Sequence, residues 1–149
     1  MTNVGKWNAQ RGVTTVMSTE LNSVTSGSMT QASSVYDNTS NLDIYTDIEV
    51  NLAALSPSSG AYVALWIEEE IDGTNYPAQS AADLRLTTTQ LLCTIPIGTT
   101  ATTAQRVVVR QVVIPPSKFY INLDNQTGVA LAASGNTVKF NPYNVNLNG

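Results

Sequence analysis

The sequence predicts an all-β fold, an antiparallel β-sandwich or jelly roll with an extended N-terminal arm. Three observations predict it. Apolar residues recur with a period of two, turn signals fall about every eight to twelve residues, and helical periodicity is nearly absent. At 149 residues and 42% apolar composition, the chain is long enough for one domain with a substantial core.

Residues 1–34 are a leader rich in Ser, Thr, Asn, Gln and Gly, in which Trp7, Val13, Val16, Met17, Leu21, Val24 and Met29 arrive singly. Such sparse anchors fit an arm that orders only against something else, or an edge segment wrapped on its own domain. Residues 35–149 hold the sandwich.

From Leu42 to Leu52 the chain alternates. Leu42, Ile44, Ile48, Val50 and Leu52 point inward; Asp43, Tyr45, Asp47, Glu49 and Asn51 point to water. The Ser56-Pro57-Ser58-Ser59-Gly60 cluster ends that strand in a turn. A second strand, Ala61 to Ile71, puts Trp66 in the core beside Leu65 and Ile67 before running into Glu68, Glu69 and Glu70. Asp72-Gly73 suits a tight hairpin, because glycine accepts positive φ at little cost. Ala78 to Leu86 is the one helical turn that the pattern supports.

Leu91 to Ile97 is a third apolar run. Pro96 places it at a sheet edge or strand end, since proline has no N–H to give the ladder. Val107, Val108, Val109, Val112, Val113 and Ile114 form the most β-prone stretch, apolar on both faces, with Arg106 and Arg110 guarding one of them. In Lys118 to Leu123, Phe119, Ile121 and Leu123 point inward. Asp124 to Gly128 turns, Val129 to Ala132 returns as a strand, Ser134 to Asn136 turns again, and Thr137 to Phe140 is another strand.

The chemistry available is narrow. Histidine is absent and Cys93 is the only cysteine, which excludes nucleophile–histidine pairs, Cys/His zinc sites and an intrachain disulfide. No G-x-S-x-G elbow or Gly-rich phosphate loop occurs, so the chain is expected to be no enzyme and to need no cofactor. Seven scattered basic residues and a formal net charge of −4 argue against nucleic acid and membrane as partners. No run of about 18 apolar residues is present. Residues 1–10 lack the order of a secretory signal, which fits synthesis in a cytosol.

Asp43, Asp47 and Glu49 share a strand face, on which neighbouring positions lie about 6.6 Å apart. Hydration alone is the common fate of such charges; a calcium ion or glycoside hydrolysis are the chemical alternatives. Glu68-Glu69-Glu70 with Asp72 is the densest negative patch, either a hydrated hairpin end or a contact for a basic partner. Trp7, in a polar leader, is hard to bury locally and is a candidate interface anchor together with Arg11 and Met17. Tyr76, Tyr120 and Tyr143 are candidates for a sugar-binding face.

Two segments carry a family resemblance. Ile71-Asp72-Gly73-Thr74-Asn75-Tyr76-Pro77 resembles a hairpin of tailed-bacteriophage structural proteins. Phe119 to Ala132 resembles the late strand pair of the same proteins. The group most similar in length is the small head decoration, or cement, proteins of short-tailed phages, and the resemblance covers about the last 90 residues. It implies a β-sandwich or jelly roll on the capsid exterior, made in the host cytoplasm. It also implies a homodimer or homotrimer that binds the major capsid (coat) protein. A carbohydrate-binding module, such as a tail or fibre domain, is the alternative.

Overall fold

The computed structural model describes residues 6–30, 33–70, 72, 90–99 and 103–146. They form ten strands: β1 (Lys6–Trp7), β2 (Thr14–Met17), β3 (Tyr36–Asp37), β4 (Tyr45–Leu52), β5 (Tyr62–Glu69), β6 (Gln90–Pro96), β7 (Gln105–Val113), β8 (Lys118–Gln126), β9 (Thr137–Tyr143) and β10 (Val145–Asn146). Two four-stranded antiparallel sheets, ordered β2-β9-β4-β7 and β3-β8-β5-β6, pack against each other as an all-β sandwich. The pairs nest. β1 meets β10, β2 meets β9, β3 meets β8, β4 meets β7 and β5 meets β6, like one long hairpin with its tip between β5 and β6. That hairpin is rolled until β4 also pairs with β9 and β5 with β8. Asp72 aside, the predicted hairpin after Glu70 and the helical turn Ala78 to Leu86 lie outside the described residues. No helix among the described residues is long and apolar enough to cross a membrane.

Period-two alternation builds the core. Ile48, Val50 and Leu52 of β4, with Val138 and Phe140 of β9, face Val63 and Leu65 of β5 and Phe119, Ile121 and Leu123 of β8, all fully buried. Tyr36 joins the two sheets at one end, its ring 5.1 Å from Phe119 and 5.5 Å from Phe140.

Three elements depart from the sequence pattern, each for a local reason. β4 begins at Tyr45, and the predicted inward Leu42 and Ile44 are 53% and 46% exposed. Leu42 has a φ of 50°, which breaks the alternation and turns the Asp43 carboxylate inward instead. The Asn38 side chain fixes that turn: its Nδ2 donates to the Asp43 carbonyl at 2.8 Å and its Oδ1 accepts from the Asp43 N–H at 2.9 Å. Trp66 is only half-buried, because it lies on the β5 face opposite Val63, Leu65 and Ile67. Val129 to Ala132 is not a strand. Both edges of β8 are already occupied, by β5 on one side and on the other by β3, residues 27–30 and Ser33. Those residues bond its backbone at Asn125, Leu123 and Ile121.

In β7 the inward parity switches. Val107 and Val109 pack on the core, then Val112 and Ile114 do. An extra residue causes the switch: Thr46 pairs with Val112 but Ile48 with Val109, so Arg110 and Gln111 together oppose Asp47. Gln111 takes a φ of 59° in this bulge. A β-prone stretch apolar at both parities is what such a strand requires.

The described leader lies along its own domain. β2 is the edge strand beside β9, and a bulge between Thr15 and Met17 lets both Val16 and Met17 reach the core. The short 3-10 turn Thr19–Leu21 buries Leu21 completely.

One buried carboxylate is poorly compensated. Glu68 is 1% exposed; its Oε1 accepts from Asn122 Nδ2 at 2.7 Å, while its Oε2 has no hydrogen-bond partner among the described residues. Burial raises its pKa above the ordinary 4.5. The folded state therefore holds this proton to higher pH than the unfolded state does, so stability falls as pH rises from 4.5 through the folded value. Glu68→Gln is expected to stabilise the protein at pH 8 by about 1 kcal/mol and to leave it unchanged near pH 4. Urea unfolding at the two pH values measures both.

Candidate functional site

The outer face of the β2-β9-β4-β7 sheet carries two acidic residues of β4, each ringed by donors. Glu49 accepts from Arg106 Nε of β7 at 2.7 Å and from Lys139 Nζ of β9 at 3.2 Å. Antiparallel register puts Val108 and Lys139 directly opposite Glu49, so a cation reaches it from each side. The Arg106 hydrogen bond first, and then Lys139, holds the Glu49 carboxyl below its ordinary range.

Asp47 is the hub of the face. Its Oδ2 accepts from Arg110 Nη1 at 2.8 Å and from Gln10 Nε2 at 3.0 Å. Its Oδ1 accepts from the Gln111 backbone N–H at 3.1 Å and from the Tyr143 hydroxyl at 3.3 Å. The β7 bulge supplies two of these donors, and it is why Arg110 and Gln111 converge on one carboxylate. Burial, then the Asp47 charge, pushes the Tyr143 phenol up.

The leader closes one side. Trp7 of β1 sits 5.8 Å from the Tyr45 ring and 5.6 Å from the Tyr143 ring, both edge-on, while Tyr45 and Tyr143 stack at 5.9 Å. Gln10 bridges Asp47 and Asn141, its Oε1 accepting from Asn141 Nδ2 at 2.7 Å. Trp7, Asn8, Gln10, Asp47, Arg110, Gln111 and Tyr143 thus line an open trough of about 480 Å³. Its volume falls within the range of roughly 300–1,000 Å³ usual for small-ligand sites.

The three predicted anchors have different fates. Trp7 faces the trough and is 58% exposed. Arg11 docks on its own domain, Nε bonding both Asp43 carboxylate oxygens at 2.8 and 2.7 Å. Met17, 1% exposed, fastens β2 to the core of its own chain. Asp43, Asp47 and Glu49 do not form one cluster: Asp43 is drawn inward to Arg11, and the other two are each paired with cations. Among the described residues no three acidic, histidine or cysteine side chains group as a metal site requires. Of the predicted tyrosines, Tyr143 alone joins the trough; Tyr120 lies in the other sheet and Tyr76 outside the described residues. Tyr45, Gln10, Arg110 and Gln111 gave no signal of convergence in the sequence. Cys93 is half-buried, and burial pushes its thiol up to about 11, which makes it a poor nucleophile.

No protein-family model matches the chain, and no curated protein matches it.

Proposed function

We propose that the chain is a structural subunit of a virion: a decoration, or cement, protein on the capsid exterior that assembles as a homodimer or homotrimer and holds adjacent coat subunits together. One observation carries this reading, the flank where β6 and β7 form the outer edges of their two sheets. These edges are seven and nine residues long and expose Leu91, Val108 and Val113. Long strand edges with exposed apolar side chains accept a further strand or a flat neighbour. The opposite flank differs, because its strands β2 and β3 have only four and two residues and leader segments close it.

We read the nested, rolled strand order as a jelly roll, an architecture common among viral capsid domains. The segment that resembles phage decoration proteins, Phe119 to Ala132, supplies most of the central strand β8 and the loop that caps it. Many copies around a shell gain avidity, so each lateral contact need contribute little. Closed symmetry is the expected assembly.

Mass spectrometry of purified particles with copy counting tests the proposal. Hundreds of copies per particle are expected; a handful would move the protein to the tail or neck, and none would end the virion reading. A Leu91→Lys/Val113→Lys variant, altered only at exposed edge positions, is expected to keep the wild-type melting temperature and lose most particle-bound copies.

A further inference from the structure

We infer that the trough between the leader and the β7 bulge is a binding site for a neutral glycan, with Trp7 as the platform for a sugar ring. The inference is independent of the β6–β7 flank and adds a second binding function to the same chain.

The chemistry of the walls selects the ligand class. An indole that is more than half exposed offers apolar surface to the C–H face of a pyranose. Around it stand planar polar groups suited to vicinal hydroxyls. The side-chain amides of Asn8 and Gln111 make no hydrogen bond among the described residues, and Gln10 Nε2 has a second N–H beyond the one given to Asp47. Arg110 uses Nη1 on Asp47 and leaves the rest of a 72%-exposed guanidinium toward solvent. Its charge is balanced by Asp47, and these two are the only charged side chains among the trough-lining residues; Arg106 and Lys139, which share Glu49, lie outside that lining. A ligand arriving here meets hydrogen-bonding capacity without a dominant unpaired charge, which favours hydroxyl-rich neutral ligands over phosphates or acidic peptides.

The site is also built in advance. One nearly buried carboxylate fixes the side chains of Gln10, Arg110 and Tyr143 and the backbone of Gln111 through four hydrogen bonds, so those three side chains have little entropy left to lose on binding. Gln111 is held at positive φ by the same carboxylate, an unfavourable conformation for a residue with a Cβ. Strain kept beside a trough fits a position that must aim a side chain.

The test is a printed array of neutral and acidic glycans probed with the full-length protein. The best-binding neutral oligosaccharide is then titrated by calorimetry against wild type, Trp7→Ala, Trp7→Tyr and Val35→Ala, the last an exposed position outside the trough. Binding concentrated on neutral glycans is expected, weakened at least tenfold by Trp7→Ala, partly restored in Trp7→Tyr and unchanged in Val35→Ala. In NMR spectra the Gln10 and Gln111 side-chain amides should shift on addition of that oligosaccharide. An array without signal overturns the inference, as does preference for acidic glycans alone, or Trp7→Ala binding as tightly as wild type with an unchanged melt. Particle decoration that persists in Trp7→Ala would separate this site from the structural role.

Discussion

Arg11→Ala is expected to destabilise the fold by about 3 kcal/mol, a large effect for a residue in a polar leader. The reason lies in its partner. The Asp43 side chain is completely buried, and its carboxylate bonds Arg11 alone among the described residues, whereas the Arg11 side chain is 45% exposed. Removing the arginine leaves a buried charge without compensation, which costs far more than breaking a surface pair. Arg11 also donates from its backbone to Pro142 O at 3.0 Å, and this bond survives in the alanine variant, so the loss isolates the side chain. Adding Asp43→Asn in the Arg11→Ala background removes the charge and should recover more than half of the stability. Chemical denaturation of the four proteins of that double-mutant cycle measures the coupling. A loss under 1 kcal/mol for Arg11→Ala would mean that water replaces the guanidinium freely.

Asn125→Ala should cost about as much, roughly 3 kcal/mol, by orphaning buried backbone groups. Asn125 is fully buried at the end of β8, where its Nδ2 donates to Val24 O at 2.8 Å and to Val129 O at 2.9 Å. Its Oδ1 accepts from the Thr127 N–H at 3.1 Å and lies 2.7 Å from the Thr127 hydroxyl. One amide thereby ties the leader, the β8 terminus and the following loop together. Asn125→Asp keeps the shape but loses both donors and brings a carboxylate against two carbonyls, so it should be at least as damaging at neutral pH. Thermal melts of both variants decide the matter: near-wild-type stability of Asn125→Asp would show that the Nδ2 bonds contribute little. Gly128 follows at a φ of 83°, where an added Cβ would collide with Ser58 Oγ. The Asn125-to-Gly128 segment is thus specified by geometry as well as by its turn propensity.

These two residues mark where the sequence is informative and where it is not. The predicted turn Asp124 to Gly128 was legible only in part: β8 runs on to Gln126, and the bend that follows is tied locally, Asn125 Oδ1 accepting from the Thr127 N–H two residues on. What that turn also holds, the Val24 carbonyl 101 residues away, was not legible. Arg11 is legible as a candidate anchor in a polar leader, but its partner Asp43 belongs by alternation to the wet face of β4. Only the positive φ at Leu42 turns it inward.

The sequence alone carried the all-β class, the inward residues Ile48, Val50 and Leu52 of β4 and Phe119, Ile121 and Leu123 of β8, the edge placement implied by Pro96, and the poverty of catalytic groups. All follow from composition and from side-chain alternation, which acts over a few residues. Tertiary structure alone decided the nested pairing, the parity switch in β7, the fastening of the leader to its own domain, and the trough around Asp47. Each of these joins residues dozens of positions apart, such as Gln10 with Asp47 or Arg110 with Asp47. Pairing register, which one inserted residue resets, governs such meetings, and no local pattern records where the insertion takes effect.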